Sequence, residues 1–373
     1  MQACVQQKLS GSSFEGSYIS GIPARIHYVR LTVIIHKSCV REVLMRMCLH
    51  DSGQMHFSGY GYGKSVFDKS DAEGLFLIGM DIKRIIAIIA SLSLFFIVVS
   101  CAPKGIQPAP KPAKVALVLG AGSSKGFAHI GVLKVIESHK IPVHMIVGTS
   151  AGSFVGSLYA YGFDAFELQK LSFGIRKDDI IDFTIPDNGF IKGEKLEGYI
   201  NNALKNTPME RLRIPFYAVA TDIQTGREVV FGNGNTGTAV RASCSIPGVF
   251  MPPVISGRMY IDGGTVSPVA VEAARKLGAD IVIAVDISSD TGSTVPKGTI
   301  ETILQSISIM YSKLSAIQLA NADVVIKPQV GFIGGADFSK RHEAVLEGEK
   351  AALAVMPKIQ EIMNKLKQEG RLD

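Results

Sequence analysis

Two short apolar runs do most to limit what this chain can fold into. Val115–Leu119 (VALVL) passes into the turn Gly120-Ala121-Gly122-Ser123-Ser124-Lys125-Gly126 and then an apolar-periodic stretch, Phe127–Ser138. Val143–Val147 passes into Gly148-Thr149-Ser150-Ala151-Gly152 and then a second such stretch, Ser153–Gly162. Neither run alternates apolar with polar residues, so each strand must be covered on both faces. Strands of this kind, each followed by a helix, predict an α/β fold with three layers: a mostly parallel sheet with helices on both faces. Further strands are predicted at Phe216–Thr221, Glu228–Phe231, Met259–Ile261, Ile281–Val285 and Val324–Ile326. Helices are predicted at Gly193–Leu204, Ser267–Leu277, Thr299–Ala320 and Lys340–Leu366, and no internal repeat is evident.

Upstream, the chain changes character twice. Met80–Cys101 (MDIKRIIAIIASLSLFFIVVSC) opens with Lys83 and Arg84, runs apolar from Ile85 to Val99 and ends in Ser100-Cys101. A basic start, an apolar middle and a small residue at the end are the layout of a secretory signal peptide. The apolar run is short for a membrane span, which needs ~20 residues. The ending Val98-Val99-Ser100-Cys101 resembles the bacterial lipobox, which implies a lipidated Cys101 as mature N-terminus, with a single transmembrane anchor as the alternative. A signal peptide belongs at an N-terminus, yet 79 residues precede this one without sustained periodicity. The expectation is that Met80 is the true start and that residues 1–79 are an unstructured upstream segment. Residues 101–114, rich in proline, read as an extended tether, and residues 115–373 as one folded domain.

Composition narrows the function classes. With 47% hydrophobic and 19% charged residues the chain can bury a sizeable core. Its net charge of +6 is spread along the chain and forms no basic run interleaved with aromatics, so nucleic-acid binding is not expected. Histidines are scattered and cysteines few, so neither a metal site nor a cofactor is expected.

Gly148-x-Ser150-x-Gly152 between a buried strand and a helix is a nucleophile-elbow pattern. Small flanking residues let a tight turn lift the hydroxyl above the sheet edge, and the helix start lies beneath the charge that develops there. A serine hydroxyl needs a base. His129 and His139 lie on the first helix, His144 in the strand feeding the elbow, and His342 in a polar helix start that reads as solvated surface. None is well placed. The glycine turn at 120–126 does not match a dinucleotide loop, whose third glycine would fall one position earlier, nor a P-loop, because Lys125 precedes Gly126 and Phe127 follows. It suits an oxyanion hole, which needs only outward amides near the serine. Tyr260-Ile261-Asp262-Gly263-Gly264 ends an apolar stretch on a carboxylate; read alone, it is either an ordinary Asp-Gly turn or a base made stronger by desolvation. Asp222 and Asp286 also end strand-like runs.

Together, VALVLGAGSSKGFAHIGVLKVIE, GTSAG and DGG resemble the patatin-like phospholipase family in order and spacing. Two intervening blocks extend the resemblance, Ala220-Thr221-Asp222 with Thr225–Phe231, and Arg241–Phe250; it covers 115–274 firmly. It implies a Ser150–Asp262 dyad without histidine, an acyl-enzyme, and an oxyanion held by Gly122, Ser123 and Ser124 amides. Lys125 stands where the family has Arg or Lys, to shape the loop or meet a phosphate head group. Ala121 and Ser123 replace members of the family's commoner glycine run, which leaves open whether the loop needs a positive φ there. Ser267 departs from the Asn that many relatives carry. The implied function is hydrolysis of fatty-acyl esters of (lyso)phospholipids, at a membrane to which lipidated Cys101 tethers the domain. That is the periplasmic face of the outer membrane if the cell is Gram-negative, or the inner membrane as alternative. Carboxylesterase or thioesterase action on soluble esters, and a non-catalytic lipid- or partner-binding module, are the competing readings. The oligomeric state is not readable.

Overall fold

The computed structural model describes residues 110–372 apart from 186–187 and 289–294; upstream it describes Ser91 and the backbone of three strands. The chain divides into two units, residues 1–104 and 105–373. In the first, β1 (His27–Ile34), β2 (Val40–Leu49) and β3 (Met55–Tyr60) pair antiparallel in that order. Strands thus stand where the sequence reading expects no structure. The alternation Val29-Arg30-Leu31-Thr32-Val33 within β1 is the signal, a period of two too brief to register as sustained. The expected signal peptide, Cys101 and most of the tether lie outside the described residues.

The second unit is built on one eight-stranded sheet. Its strands are β4 (Val115–Leu119), β5 (Met145–Thr149), β6 (Phe216–Asp222), β7 (Glu228–Phe231), β8 (Val254–Ile255), β9 (Arg258–Asp262), β10 (Ile281–Val285) and β11 (Val324–Ile326). The order is β11-β10-β4-β5-β6-β9-β8, with β7 also paired to β6. The first five of these are mutually parallel, while β7 and β9 run antiparallel to β6. This is the predicted α/β sheet, mixed at one edge.

Nine helices of the α type are described around it: α1 (Phe127–Ser138), α2 (Ala151–Tyr161), α3 (Ala165–Gly174), α4 (Lys177–Ile180), α5 (Glu194–Ala203), α6 (Thr236–Ser243), α7 (Val271–Lys276), α8 (Thr299–Gln318) and α9 (Arg341–Gln368). The two faces are unequal. Val115, Leu117 and Leu119 of β4 point into a large core with α1, α2, α3, α5, α6 and α9. Ala116 and Val118, on the opposite face, meet mainly α7 and the loop before it, through Val269–Val271, Ala273 and Ala274. Alternate residues of one strand are therefore buried on opposite sides, which explains why VALVL shows no polar alternation.

Three predicted boundaries move. The second strand begins at Met145, because Pro142–His144 still belong to the loop, and the elbow helix starts at Ala151. The helix after Asp262 is confined to α7, because Ser267–Ala270 still belong to the loop that follows the 3-10 turn Gly263–Thr265.

Candidate active site

The elbow is strained and well braced. Ser150 sits at φ 53° and ψ −122°, a region costly for any residue with a Cβ. Its carbonyl accepts from the Ser153 amide (2.8 Å), the Phe154 amide (3.1 Å) and the Ser153 hydroxyl (2.7 Å). Its own N–H donates to Ser243 Oγ (2.9 Å), whose hydroxyl donates to the Val219 carbonyl (2.6 Å). Gly152 has to be glycine because β4 passes directly beneath: a Cβ there would lie 2.0 Å from the Leu119 carbonyl oxygen. Although Ser150 occupies the N-cap of α2, its side chain makes no capping bond, so the hydroxyl is not spent on the helix.

Asp262 reaches the same height from the other side of β6. Thr149 pairs with Val219 across β5 and β6, and Ala220 pairs with Asp262 across β6 and β9. Ser150 and Asp262 therefore flank Ala220 from neighbouring strands, about 10 Å apart at the backbone, and the Ser150 hydroxyl is among the groups that act on the Asp262 carboxyl. Asp262 is fully buried. Its Oδ1 accepts from the Gly264 amide (2.7 Å), while Oδ2 has no partner in hydrogen-bonding geometry among the described residues. Burial pushes the carboxyl up to about 6; the Ser150 hydroxyl, the Gly264 amide and the Tyr311 phenol pull it back.

The four histidines weighed as bases are employed elsewhere. His129 donates through Nε2 to the Gly120 carbonyl (2.8 Å), and burial lowers its imidazole to about 4. His144 Nδ1 accepts from the Val115 amide (3.0 Å), His139 Nδ1 stands 2.9 Å from the Val135 carbonyl of its own helix, and His342 packs beside Phe173. Asp222 is held below the usual carboxylate range by the Thr225 amide and by Arg258, whose Nη1 lies 3.0 Å from Oδ2. Asp286 accepts from both the amide and the hydroxyl of Ser288.

The glycine turn leaves β4 beside the elbow. Gly120 donates to Val285, Ala121 to Pro268, Ser124 to Gly335 (3.3 Å) and Lys125 to Gly122. Among the described residues this leaves two amides of the turn's outer edge, those of Gly122 and Ser123, without an acceptor outside the short helix Ser123–Gly126. Ser123 adopts φ 52°, so the turn does use a positive φ at the position where glycine is absent. The Ser124 amide, expected among the oxyanion donors, is turned toward Gly335, and its hydroxyl is bound to Gly334 (2.6 Å). Lys125 is buried within the turn.

Ser150 and Ser123 open into a cavity of about 400 Å³. One stripe of α2, Ala151, Phe154, Val155 and Leu158, forms a wall running away from the serine, and Leu168, Leu171 and Ile175 face it. The spacing of that stripe spans roughly 12 Å of helix from Ser150 to Leu158. The walls are almost wholly apolar, and Lys177 and Glu301 are the charged residues among them.

A strained serine, a buried carboxylate, two outward amides and an apolar slot lie together here. Residues 117–275 match the family model described as "Patatin-like phospholipase". Residues 117–275 are a patatin-like phospholipase domain. The chain is 30% identical over 291 residues to lysophospholipase NTE1 of Coccidioides immitis (strain RS), covering 69% of this chain and 18% of that protein. It is 35% identical over 177 residues to an uncharacterized NTE family protein of Mycobacterium tuberculosis (strain ATCC 25618 / H37Rv), covering 47% of this chain and 49% of the relative. The chain thus spans less than half the length of these relatives. Among solved structures it is similar to VipD from Legionella pneumophila, with TM-score 0.39 and 14% identity over 68% of this chain and 67% of the other.

Two further side chains stand beside these groups, Cys244 from within the Arg241–Phe250 block and Tyr311 from outside every motif. Cys244, just after α6, is buried with its Sγ 3.7 Å from Ser153 Oγ, and burial pushes its thiol well up, so it stays protonated. Tyr311 reaches Asp262 from α8, 49 residues away in sequence, and nothing local to it signals a site. Among the described residues no group of three or more His, Cys, Asp or Glu could hold a metal ion.

Proposed function

We propose that this domain is a serine acyl hydrolase of (lyso)phospholipids working through a Ser150–Asp262 dyad. The observation that carries the reading is the pairing of a strained, uncapped Ser150 with a buried Asp262 whose Oδ2 is unpartnered among the described residues, while the four candidate histidines are occupied elsewhere. Ser150 Oγ attacks the ester carbonyl carbon and its proton passes to Asp262 Oδ2. The oxyanion is received by the Gly122 and Ser123 amides; losing one such donor would raise the barrier by ~3 kcal/mol. The tetrahedral intermediate collapses, and the lysolipid or glycerol-type alcohol departs with the proton held on Asp262. Water then attacks the acyl-enzyme, returns a proton through Asp262 to Ser150, and frees the fatty acid. The slot along α2 takes the acyl chain, where each buried methylene contributes ~0.8 kcal/mol.

The relatives' names favour a phospholipid over a soluble ester, and the apolar slot agrees with them. Cys101 is the proposed lipidation site, which would tether the exported domain to the membrane that holds its substrate. The test compares wild type with Ser150→Ala and Asp262→Asn on phospholipid vesicles, on lysophospholipid and on short nitrophenyl esters, with fluorophosphonate labelling of Ser150. Vesicle hydrolysis lost in both variants is expected. Hydrolysis of short esters alone would favour a soluble carboxylesterase, and absence of labelling a binding module. Mass spectrometry of the mature N-terminus tests Cys101 separately, with a diacylglyceryl adduct as the expected result.

A further inference from the structure

Tyr311 enters the site from behind the Asp-Gly-Gly turn. It lies on α8 and is buried among Ala121, Ile246, Val249, Leu304 and Ile307. Its ring rests on Gly264 so closely that a Cβ at that position would come within 2.3 Å of Cζ and 2.7 Å of the phenol oxygen. The glycine therefore makes room for the phenol next to Asp262. A buried tyrosine hydroxyl ordinarily finds a hydrogen-bond partner. Among the described residues the Tyr311 oxygen has none in strict hydrogen-bonding geometry, with the Thr265 and Asp262 side chains its polar neighbours, and Asp262 Oδ2 likewise has none. One of these orphans is a donor and the other an acceptor.

We propose that Tyr311 is a positioning residue for the base: its hydroxyl donates to Asp262 Oδ2 and holds the ionised carboxylate toward Ser150. The proposal rests on the reading of Asp262 as base. The groups facing this carboxyl are Ser150 from the elbow, the Gly264 amide from its own turn, Cys244 from the end of α6 and Tyr311 from α8. None of these is a cation, so the charge is held by neutral donors. Burial and the neighbouring carboxylate keep the phenol protonated, and hence able to donate. Its place in the reaction follows from the order of bonds. Once Ser150 is acylated its oxygen is an ester and has no proton to donate. Throughout that interval the carboxylate is held by the Gly264 amide and, among these side chains, by Tyr311, the only one of them that still carries an O–H. A second donor favours the ionised, aligned form of the base at every stage at which it must take a proton.

The experiment follows kcat/KM against pH for wild type, Tyr311→Phe and Asp262→Asn in the full chain. The acid limb of kcat/KM reports the ionisation of the free enzyme's base. Removing a donor to the carboxylate weakens its ionised form, so the limb of Tyr311→Phe is expected about one pH unit higher than wild type. Activity at pH 8 to 9 should stay within a few-fold. Replacing Tyr311 by 3-fluorotyrosine, a stronger donor, should move the limb the opposite way, and this second variant decides the matter if Tyr311→Phe fails to fold. A uniform loss across pH with an unmoved limb would reduce Tyr311 to packing and overturn the proposal. If Asp262→Asn instead keeps wild-type activity, the dyad itself fails, an outcome recognisable without reference to Tyr311.

Discussion

Replacing Asp262 by asparagine should make the protein more stable and inactive at once. Its carboxyl titrates at about 6 in the folded state, against an ordinary value of 3.8, chiefly because it is buried. A raised folded value means that the native state holds the proton more tightly than the unfolded chain does. The native state is therefore favoured while the carboxyl is protonated, below about pH 4, and loses that advantage as pH rises toward 6. Above 6 the ionised carboxylate costs roughly 3 kcal/mol, since every tenfold gain in proton affinity on folding is worth about 1.4 kcal/mol. Asparagine removes the charge, keeps an oxygen for the Gly264 amide and offers an NH2 toward the unpartnered Tyr311 oxygen. For a domain of this size about 3 kcal/mol corresponds to roughly 5–10 °C in melting temperature. The assay is thermal unfolding of both proteins at pH 4 and pH 8, with hydrolysis measured alongside. The gain should be large at pH 8 and nearly gone at pH 4. A gain equal at both values, or none at pH 8, would refute the account of the buried charge.

Other substitutions probe the remaining parts. Val155→Trp fills the slot one helical turn beyond Ser150 and should cut hydrolysis of long acyl esters at least ten-fold while sparing acetyl or butyryl esters, read as a chain-length series. Gly152→Ala places a Cβ against the Leu119 carbonyl and should destabilise the fold by several kcal/mol, seen in urea unfolding, because the obstacle is backbone and cannot yield. His342→Ala, on a residue that touches Phe173 away from the serine, should leave activity within about two-fold; a dead variant would argue for a triad.

The strand-turn-helix frame is legible in the sequence because its signals are local. β4 and β5 are apolar on both faces, and each ends on a small-residue turn that can serve only a tight connection, so VALVL and GTSAG place the glycine loop and the elbow. α3 also carries a local signal, one that the apolar pattern alone does not reveal. Asp164 accepts from the Glu167 amide and Glu167 bonds back to Asp164, the capping-box pattern that opens Ala165–Gly174. α6 offers little to read, since TGTAVRAS is built of small residues without a clear apolar stripe, although Asn235 caps it. Tyr311 is out of reach for a different reason. Its spacing with Leu304, Ile307 and Ser315 on α8 describes a buried helix face and nothing more. Only the pairing of β9 with β6, and the packing of α8 over Gly264, bring it to the carboxylate.

The physical question behind a dyad is why a carboxylate should do the work of an imidazole. In water the histidine side chain titrates near 6.5 and is the better base near neutrality, while aspartate near 3.9 is too weak. Burial acts on the two in opposite directions, because it penalises whichever form is charged. The domain contains both cases. At full burial Asp262 has climbed to about 6, whereas His129, equally buried a few residues from the glycine loop, has fallen to about 4. At this depth the carboxylate is the stronger base of the two by roughly a hundred-fold in proton affinity, and an imidazole set beside Ser150 would lose the property that makes it useful. Asp262 is fully buried, and the Tyr311 ring packed on Gly264 is among the groups that keep water from its carboxyl. On the proposed reading, a site this dry is one in which aspartate, braced by neutral donors, is the fitting partner for serine.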